Sequence, residues 1–327
     1  MSVPRILVIG GAGYLGSVLV RELLACGWPV RVLDSFRFGR EALEADDVRT
    51  QPGLDIVEGD IRCIGTVTAA LADVDGVVLL AALVGEPACD TDPKETVDIN
   101  LLATQAVAHG CLYHGVRRFV FASTDSIYGI REGTMEEDSA KNPLSLYARL
   151  KLQAEEEILG LATTDFQPTI LRMCTLYGWS PRMRFDLVVN ALALRAETDR
   201  RITIHGGAQW RPFVHVVDAA TAYRLALDAP LDLVGSQIFN VGSDEQNYQI
   251  GALPSFISQV WPDVAVDTVP QSPDLRDYAV TCRKIERVLG YRAERSIVDG
   301  LHEIRQALVA GSISDTRDPR HYNVSPA

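Results

Sequence analysis

The sequence predicts an α/β fold, a doubly wound parallel sheet with a smaller α/β part toward the C-terminus, and three observations carry that prediction. Short apolar runs alternate with helix-period segments through the first half of the chain. The first two runs enclose a glycine triplet within Arg5 to Asp34, RILVIGGAGYLGSVLVRELLACGWPVRVLD. Polar or small-residue segments recur just after the runs, where open α/β sheets bind their ligands.

Ile6 to Ile9 reads as a buried strand, Tyr14 to Ala25 as an apolar-periodic helix and Val30 to Leu33 as a second strand. Gly10, Gly13 and Gly16 fall three apart, which allows a tight turn, close approach to a pyrophosphate and close packing of the helix on the sheet. The amides at the helix start then face an anion. Asp34 ends the second strand, where its carboxylate accepts from an adenosine ribose and repels a 2'-phosphate. The pattern reads as a Rossmann-like site for NAD rather than NADP, although Arg37 and Arg40 follow closely and an arginine there suits a 2'-phosphate.

Asp55 to Glu58, Val77 to Ala82, Phe119 to Ala122 and Thr169 to Met173 read as further strands, with helical patterns at about 66–72, 95–114 and 144–161. Right-handed crossovers make such an alternation doubly wound. After Gly178 the reading gives a helix at about 184–197, a strand at Ile202 to His205 and a helix at 216–229. A strand at Gln237 to Val241 is placed to rejoin the main sheet, and helices follow at about 250–261, 281–289 and 297–309. These divide the chain into a dinucleotide-binding domain, 1–177, and a second domain, 178–327. The polar tail after Gly311 carries two prolines and is expected to be mobile.

The chain has 327 residues and is 47% hydrophobic, ample for a packed core. Lys plus Arg number 31 against 43 Asp plus Glu, and the net charge of −12 argues against nucleic acid or an anionic membrane as partner. No stretch reaches the roughly 20 apolar residues of a membrane span, and the glycine-broken N-terminal run makes a poor signal peptide. Six cysteines without paired short spacing fit buried thiols in a reducing cytoplasm. The six histidines lack ligand spacing, so no metal is expected; His215 reads as a structural hydrogen-bonder.

Gly59-Asp60-Ile61 follows the third strand, where a carboxylate and an apolar side chain flank an adenine as readily as they make a plain turn. Ala81-Ala82-Leu83 is small enough for close backbone approach. Ser123-Thr124-Asp125-Ser126-Ile127-Tyr128-Gly129 gathers hydroxyls at a strand end. Tyr147 and Lys151, spaced i, i+4, share one face of the next helix. A tyrosine near pKa ~10 is a poor base, and bringing it to about 7 needs roughly 4 kcal/mol of differential interaction, within reach of a lysine and a positive nicotinamide.

GGAGYLG, Asp34, GDI, LAAL, STDSIYG and YARLK, in this order, resemble the extended short-chain dehydrogenase/reductase family, in particular its NAD-dependent nucleotide-sugar epimerases and dehydratases. The likeness continues through LRMCTLYG (171–178), GGAQWRPFVHVVDAA (206–220) and DLRDYAVTCRKIERVLGY (274–291). It implies that Gly10, Gly13, Tyr14, Leu15, Asp34, Asp60, Ile61, Ala81, Ala82, Asn100, Tyr147 and Lys151 hold NAD. It implies that Thr124 orients the reacting sugar hydroxyl, Tyr147 takes its proton and Lys151 binds the nicotinamide ribose. Asp125, Ser126 and Thr175 then face the sugar. Asn190, Arg211 and Arg276 match positions that hold a nucleotide diphosphate sugar, and guanidinium forks suit a diphosphate in an acidic protein. A surface ion pair is the plain alternative for Arg211.

Dehydratases of the family carry Thr-Asp-Glu where this chain has Thr124-Asp125-Ser126. Asp125 keeps an acid, but Ser126 is no base at neutral pH. The sequence therefore favours an epimerase acting at C4 through a ketosugar that takes its hydride back on the other face. A dehydratase, decarboxylase or ketosugar reductase on the same scaffold is the alternative, and a non-catalytic NAD sensor a third. Thr175 replaces a common Asn, and SPRMRFDLVVN (180–190) departs from the galactose epimerases, which implies a specialised sugar pocket. Helices 95–114 and 144–161 match those through which the family forms homodimers.

Overall fold

The computed structural model describes residues 3–271, 274–313 and 315–323. Its strands in chain order are β1 (Ile6–Ile9), β2 (Val30–Asp34), β3 (Leu54–Glu58), β4 (Gly76–Leu79), β5 (Arg118–Thr124), β6 (Ile130–Met135), β7 (Gln167–Met173), β8 (Thr175–Tyr177), β9 (Arg201–His205), β10 (Trp210–His215), β11 (Gln237–Val241), β12 (Asn247–Gln249), β13 (Ala265–Val269) and β14 (Asp277–Val280). Seven of them form the main sheet in the order β3-β2-β1-β4-β5-β7-β11, with every pairing parallel. The chain winds outward from β1 in one direction and from β4 in the other, which leaves a crevice beyond the carboxyl ends of these two strands.

Strand periodicity explains why the runs are apolar throughout. Ile6, Val8, Val78, Val120 and Leu171 enter one core layer, while Leu7, Ile9, Val77, Leu79, Phe119, Phe121 and Ile170 enter the other. Each strand alternates sides, so a sheet covered on both faces needs both sets apolar. Helix Tyr14–Ala25 packs with helix Val216–Asp228 on the first face, where Ala219, Ala220 and Ala222 let the two approach closely. Helices Thr104–Tyr113 and Leu146–Gly160 cover the second.

Two glycines are dictated by geometry. Gly10 has φ +91°, and a Cβ there would stand 2.7 Å from the Ala81 amide nitrogen. A Cβ on Gly16 would stand 2.1 Å from the Gly10 carbonyl oxygen, so the helix could not lie this close to the turn.

The structure departs from the sequence expectations in several places. Helix 95–114 is interrupted: Pro93–Val97 leads into a π-helical stretch, Asp98–Ala103, before Thr104–Tyr113. The helix expected from 184 begins at Val188, because Arg184 folds back onto Asp186 in an ion pair of 2.5 Å. β6 and β14, a two-stranded parallel pair, escaped the pattern because β6 is polar and mostly exposed, with only Met135 buried. β10 pairs in parallel with β8 and antiparallel with β12. The tail, expected from its polar composition to be mobile, makes specific contacts over 315–323: His321 and Tyr322 pack on Phe185, and the Phe185 amide donates to the His321 carbonyl at 2.9 Å.

Candidate functional site

A cleft of about 1190 Å³ opens beyond the carboxyl ends of β1, β2, β4 and β5 and extends beneath the C-terminal segments. It is larger than the usual small-molecule pocket of roughly 300–1,000 Å³. Gly10, Gly13, Tyr14, Leu15, Asp34, Asp60, Ile61, Ala81 and Ala82 line one half of it. Thr124, Asp125, Ser126, Tyr147, Lys151, Thr175, Arg211 and Arg276 line the other.

Two sequence-predicted residues are not on the wall. Asn100 is buried, with Oδ1 accepting from the Leu83 amide and Nδ2 donating to the Leu83 carbonyl, both at 2.8 Å. It therefore fixes the loop after β4. Asn190 is likewise buried; it accepts from the Gly178 amide at 3.0 Å and donates to the Tyr14 hydroxyl at 3.1 Å and the Arg184 carbonyl at 3.0 Å. Motif position suggested ligand contacts, whereas the tertiary partners make both residues supports.

The dinucleotide half fits an anionic cofactor. Helix Tyr14–Ala25 begins at Gly13 with no side-chain cap, so its first amides look for an acceptor. A Cβ on Gly13 would meet only the Gly10 carbonyl oxygen, at 3.2 Å, so the glycine keeps this part of the cleft open for a ligand. Asp34 accepts from the Ala12 amide at 2.9 Å and the Phe36 amide at 2.8 Å, one on each oxygen, which leaves lone pairs for a diol. Burial raises its pKa. Arg37 pairs with Glu95 at 3.0 Å and Arg40 pairs with Glu58, so both arginines already have carboxylate partners.

In the second half, the Lys151 ammonium donates to the Ala122 carbonyl at 2.8 Å and sits 4.6 Å from the Phe121 ring centroid. Burial pushes Lys151 down to about 8. Tyr147 is hydrogen-bonded to Thr124, and burial, reinforced by the nearby Cys89 thiol, holds its phenol well above the ordinary tyrosine range. The sequence expectation joined Lys151 to a positive nicotinamide, and the structure gives a reason why both are needed. In the protein alone desolvation outweighs the lysine, and a further positive charge is needed in the cleft.

Asp125 opens a short 3₁₀ turn, Asp125–Tyr128, capped by the Thr124 hydroxyl, which accepts from the Ser126 amide at 3.1 Å. The Tyr278 hydroxyl donates to Asp125 Oδ1 at 2.9 Å, while Oδ2 is buried without a partner on the cleft wall. Burial raises this carboxyl to about 7. Arg276 Nη1 donates to the Ser126 hydroxyl at 2.8 Å. Asp274 stands between Arg211, at 2.8 Å, and Arg276, at 2.6 Å, and the two guanidinia hold its carboxyl well below the usual range despite burial. Arg211 is buried, so the plain surface pairing is excluded.

Beneath the site, Arg172 and Glu155 form a buried bidentate pair at 2.7 to 3.2 Å. Arg172 Nη1 also donates to the Tyr128 hydroxyl at 3.0 Å, and Tyr128 donates in turn to Asn240 at 2.8 Å. Glu155 lies two turns after Tyr147 on the same helix face. Sequence reasoning passed over Arg182 and Arg184 on the wall, and Tyr278, which reaches Asp125 from behind it. The signal for the first two was present: two arginines beside a proline and an aspartate in an otherwise apolar run of an acidic chain. Among the described residues no cluster of side chains suits a metal ion.

The NAD dependent epimerase/dehydratase family model matches residues 6–242. A dTDP-glucose 4,6-dehydratase of Streptomyces antibioticus is 28% identical over 316 residues, 91% of this chain and 90% of that protein. A UDP-glucose 4-epimerase of Azospirillum brasilense is also 28% identical, over 331 residues, 93% of this chain and 91% of that protein. Among solved structures, MoeE5 in complex with UDP-glucuronic acid and NAD is 30% identical, with a TM-score of 0.81 over 94% of this chain and 99% of that one.

Proposed function

The chain belongs to the NAD-dependent epimerase/dehydratase family, and from that premise we propose that it is a nucleotide-sugar epimerase acting at C4, with NAD as a cofactor regenerated in every cycle. Relatives of both reaction types match equally well, so the choice between them rests on the cleft. The observation that carries the epimerase reading is Ser126, whose hydroxyl is engaged by Arg276 and which cannot remove a proton from carbon. Asp125 beside it is raised to about 7 by burial and so holds its proton below that pH, and no other wall carboxylate among the described residues fills that role. Asp34 and Asp60 belong to the dinucleotide half, Asp186 and Asp274 are paired with arginines, and Asp90 is exposed.

The glycine turn, the start of helix Tyr14–Ala25, Asp34, Asp60, Ile61, Ala81, Ala82 and Lys151 would hold NAD. When bound, it supplies a hydride acceptor and then the same hydride for return. Tyr147 takes the proton of the sugar hydroxyl, which Thr124 orients by its own hydroxyl. The phenol's raised pKa means that this step waits on the positive charge of the bound cofactor added to that of Lys151. Asp125 offers its unpartnered oxygen to the sugar, next to Ser126 and Thr175. Arg211 and Arg276 form a fork for the diphosphate of the nucleotide sugar. The ketosugar then turns in the cleft, and Tyr147 returns the proton as the hydride arrives on the opposite face.

A dehydratase is the second reading, favoured by Asp125, since a carboxyl raised to about 7 is a proton source for a departing hydroxyl. The test is incubation with UDP, dTDP, GDP, CDP and ADP sugars without added cofactor. Epimer formation with no lasting rise in reduced-cofactor absorbance supports the proposal; a dehydrated ketosugar as sole product would replace it with the second reading.

We further propose a homodimer through the helices around 98–113 and 146–160, supported by Leu102 and Tyr113, which are 50% and 87% exposed. Sedimentation velocity gives the mass that decides it. A cytoplasmic setting is proposed from the six cysteines, none of them bridged. Among the described residues no helix is long and apolar enough to cross a membrane.

A further inference from the structure

Six arginines line the cleft, and five of them face a carboxylate. Arg37 pairs with Glu95, Arg62 with Asp60, Arg184 with Asp186, and Arg211 and Arg276 with Asp274. Arg182 is the sixth and makes no ion pair among the described residues. It is 5% exposed, its guanidinium carbon lies 4.0 Å from the Phe38 ring centroid, and its Nη2 donates to Asn323 Oδ1 at 2.8 Å. Its Nε is buried on the cleft wall without an acceptor. A buried guanidinium with an unused donor is costly unless an anion completes it.

The surroundings indicate which anion. Arg182 stacks on Phe38, just beyond β2, and lies within electrostatic reach of Asp34 and Tyr14 as well as of Arg184 and Asp186, in a cleft that it lines together with the glycine turn. Neither the turn from Gly10 to Gly16 nor the loop from Ala81 to Gly85 contains a lysine or arginine. In these two segments the donors left for a dianionic pyrophosphate are backbone amides, since the Tyr14 hydroxyl already donates to the Gly178 carbonyl at 2.6 Å. Arg182 comes from the far side of the cleft, in the SPRMRFD run.

Residues 315–323 hold that run in place. Asn323 receives the Arg182 donor, donates from Nδ2 to the Val84 carbonyl at 3.1 Å and from its amide to Asp186 at 3.4 Å. Arg320 pairs with Glu41, beyond β2. The C-terminal segment therefore ties together the chain after β2, the loop after β4 and the Arg182–Asp186 run, across the mouth of the dinucleotide half.

We propose that Arg182, fixed by Phe38 and by Asn323 of this C-terminal strap, grips the pyrophosphate of the dinucleotide from the side opposite the glycine turn, and that the strap thereby retains the cofactor between turnovers. The proposal rests on the NAD-binding reading above. It explains how one cofactor molecule stays in place through many cycles, as an internal hydride return requires.

The test uses the full-length protein purified with its cofactor. Exchange of bound NAD against labelled NAD is timed for wild type, Arg182→Met, Arg182→Lys and Asn323→Ala, and affinities for NAD, ADP, adenosine and UDP are measured by competition. Loss of a charge-assisted contact should speed exchange and weaken NAD and ADP roughly ten- to a hundredfold in Arg182→Met, with partial recovery in Arg182→Lys. Asn323→Ala should speed exchange, and adenosine, which lacks the pyrophosphate, should bind all forms alike. Unchanged NAD exchange and affinity in Arg182→Met would overturn the proposal. So would an equal loss of adenosine, which would mean a structural role, or a loss confined to UDP, which would assign Arg182 to the nucleotide sugar. Failure of the wild type to bind NAD would instead strike the NAD-binding reading itself.

Discussion

Replacing Asp125 by Asn should make the protein less active yet relatively more stable as pH rises. An unfolded aspartate loses its proton near 3.9, whereas burial holds the Asp125 carboxyl protonated to about 7. Between those values the native state binds more protons than the unfolded state, so wild-type stability falls as pH rises from about 4 to about 7. With these two pKa values the linkage relation gives a cost of roughly 1.5 kcal/mol at pH 5 and roughly 4 kcal/mol at pH 8, a difference of roughly 2.5 kcal/mol. Asparagine keeps an acceptor for the Tyr278 hydroxyl but puts an unpartnered N–H at Oδ2, a fixed cost of about 1–3 kcal/mol that cancels between the two pH values. Urea unfolding of both proteins at pH 5 and pH 8, at equal cofactor occupancy, measures the quantity directly. The Asn variant should gain roughly 2.5 kcal/mol on wild type between the two conditions. A gain below about 0.5 kcal/mol would mean that Asp125 ionises as an ordinary carboxyl, and the protonated acid would have to be abandoned.

Tyr147→Phe should lower turnover by roughly 10²–10⁴, as expected for a lost proton-transfer group, while the NAD content of the purified protein stays unchanged; near-normal turnover would refute its role. Asp34→Ala should weaken NAD by roughly tenfold or more through lost ribose hydrogen bonds and NADP by less, because the change also removes repulsion of the 2'-phosphate; equal losses in a fluorescence titration would undercut the cofactor preference. Glu155→Gln leaves the buried Arg172 guanidinium without its countercharge and should cost about 3–5 kcal/mol in denaturant unfolding. A cost below about 1 kcal/mol would be what an exposed pair gives.

Much of the architecture was legible because strands buried on both faces leave continuous apolar runs and the first turn needs glycine where Cβ atoms would collide. The alternation of Leu7 and Ile9 against Ile6 and Val8 places them on opposite faces of the sheet. Side-chain partners were less legible. Asn100 and Asn190 occupy motif positions, but what their amides bond is decided by chain segments 17 and 176 residues away, as for Leu83 and Tyr14. The Tyr147–Lys151 spacing was visible, while the burial that raises the one group and lowers the other is a property of the packed cleft. The tail read as a polar, proline-bearing terminus, yet its His321 and Tyr322 find Phe185 only once the sheet has brought the 182–186 run to the cleft mouth.

The central claim, hydride return to the opposite face of a ketosugar, is tested most directly by proton NMR of the purified protein in deuterated water with no added cofactor, using the same panel of nucleotide sugars. A C4 epimer without deuterium on carbon is the expected result, because the hydride never exchanges with solvent and Ser126 removes no carbon-bound proton. Deuterium at a ring carbon, or loss of water or carbon dioxide, would contradict the account and show that another acid and base operate beside Thr124.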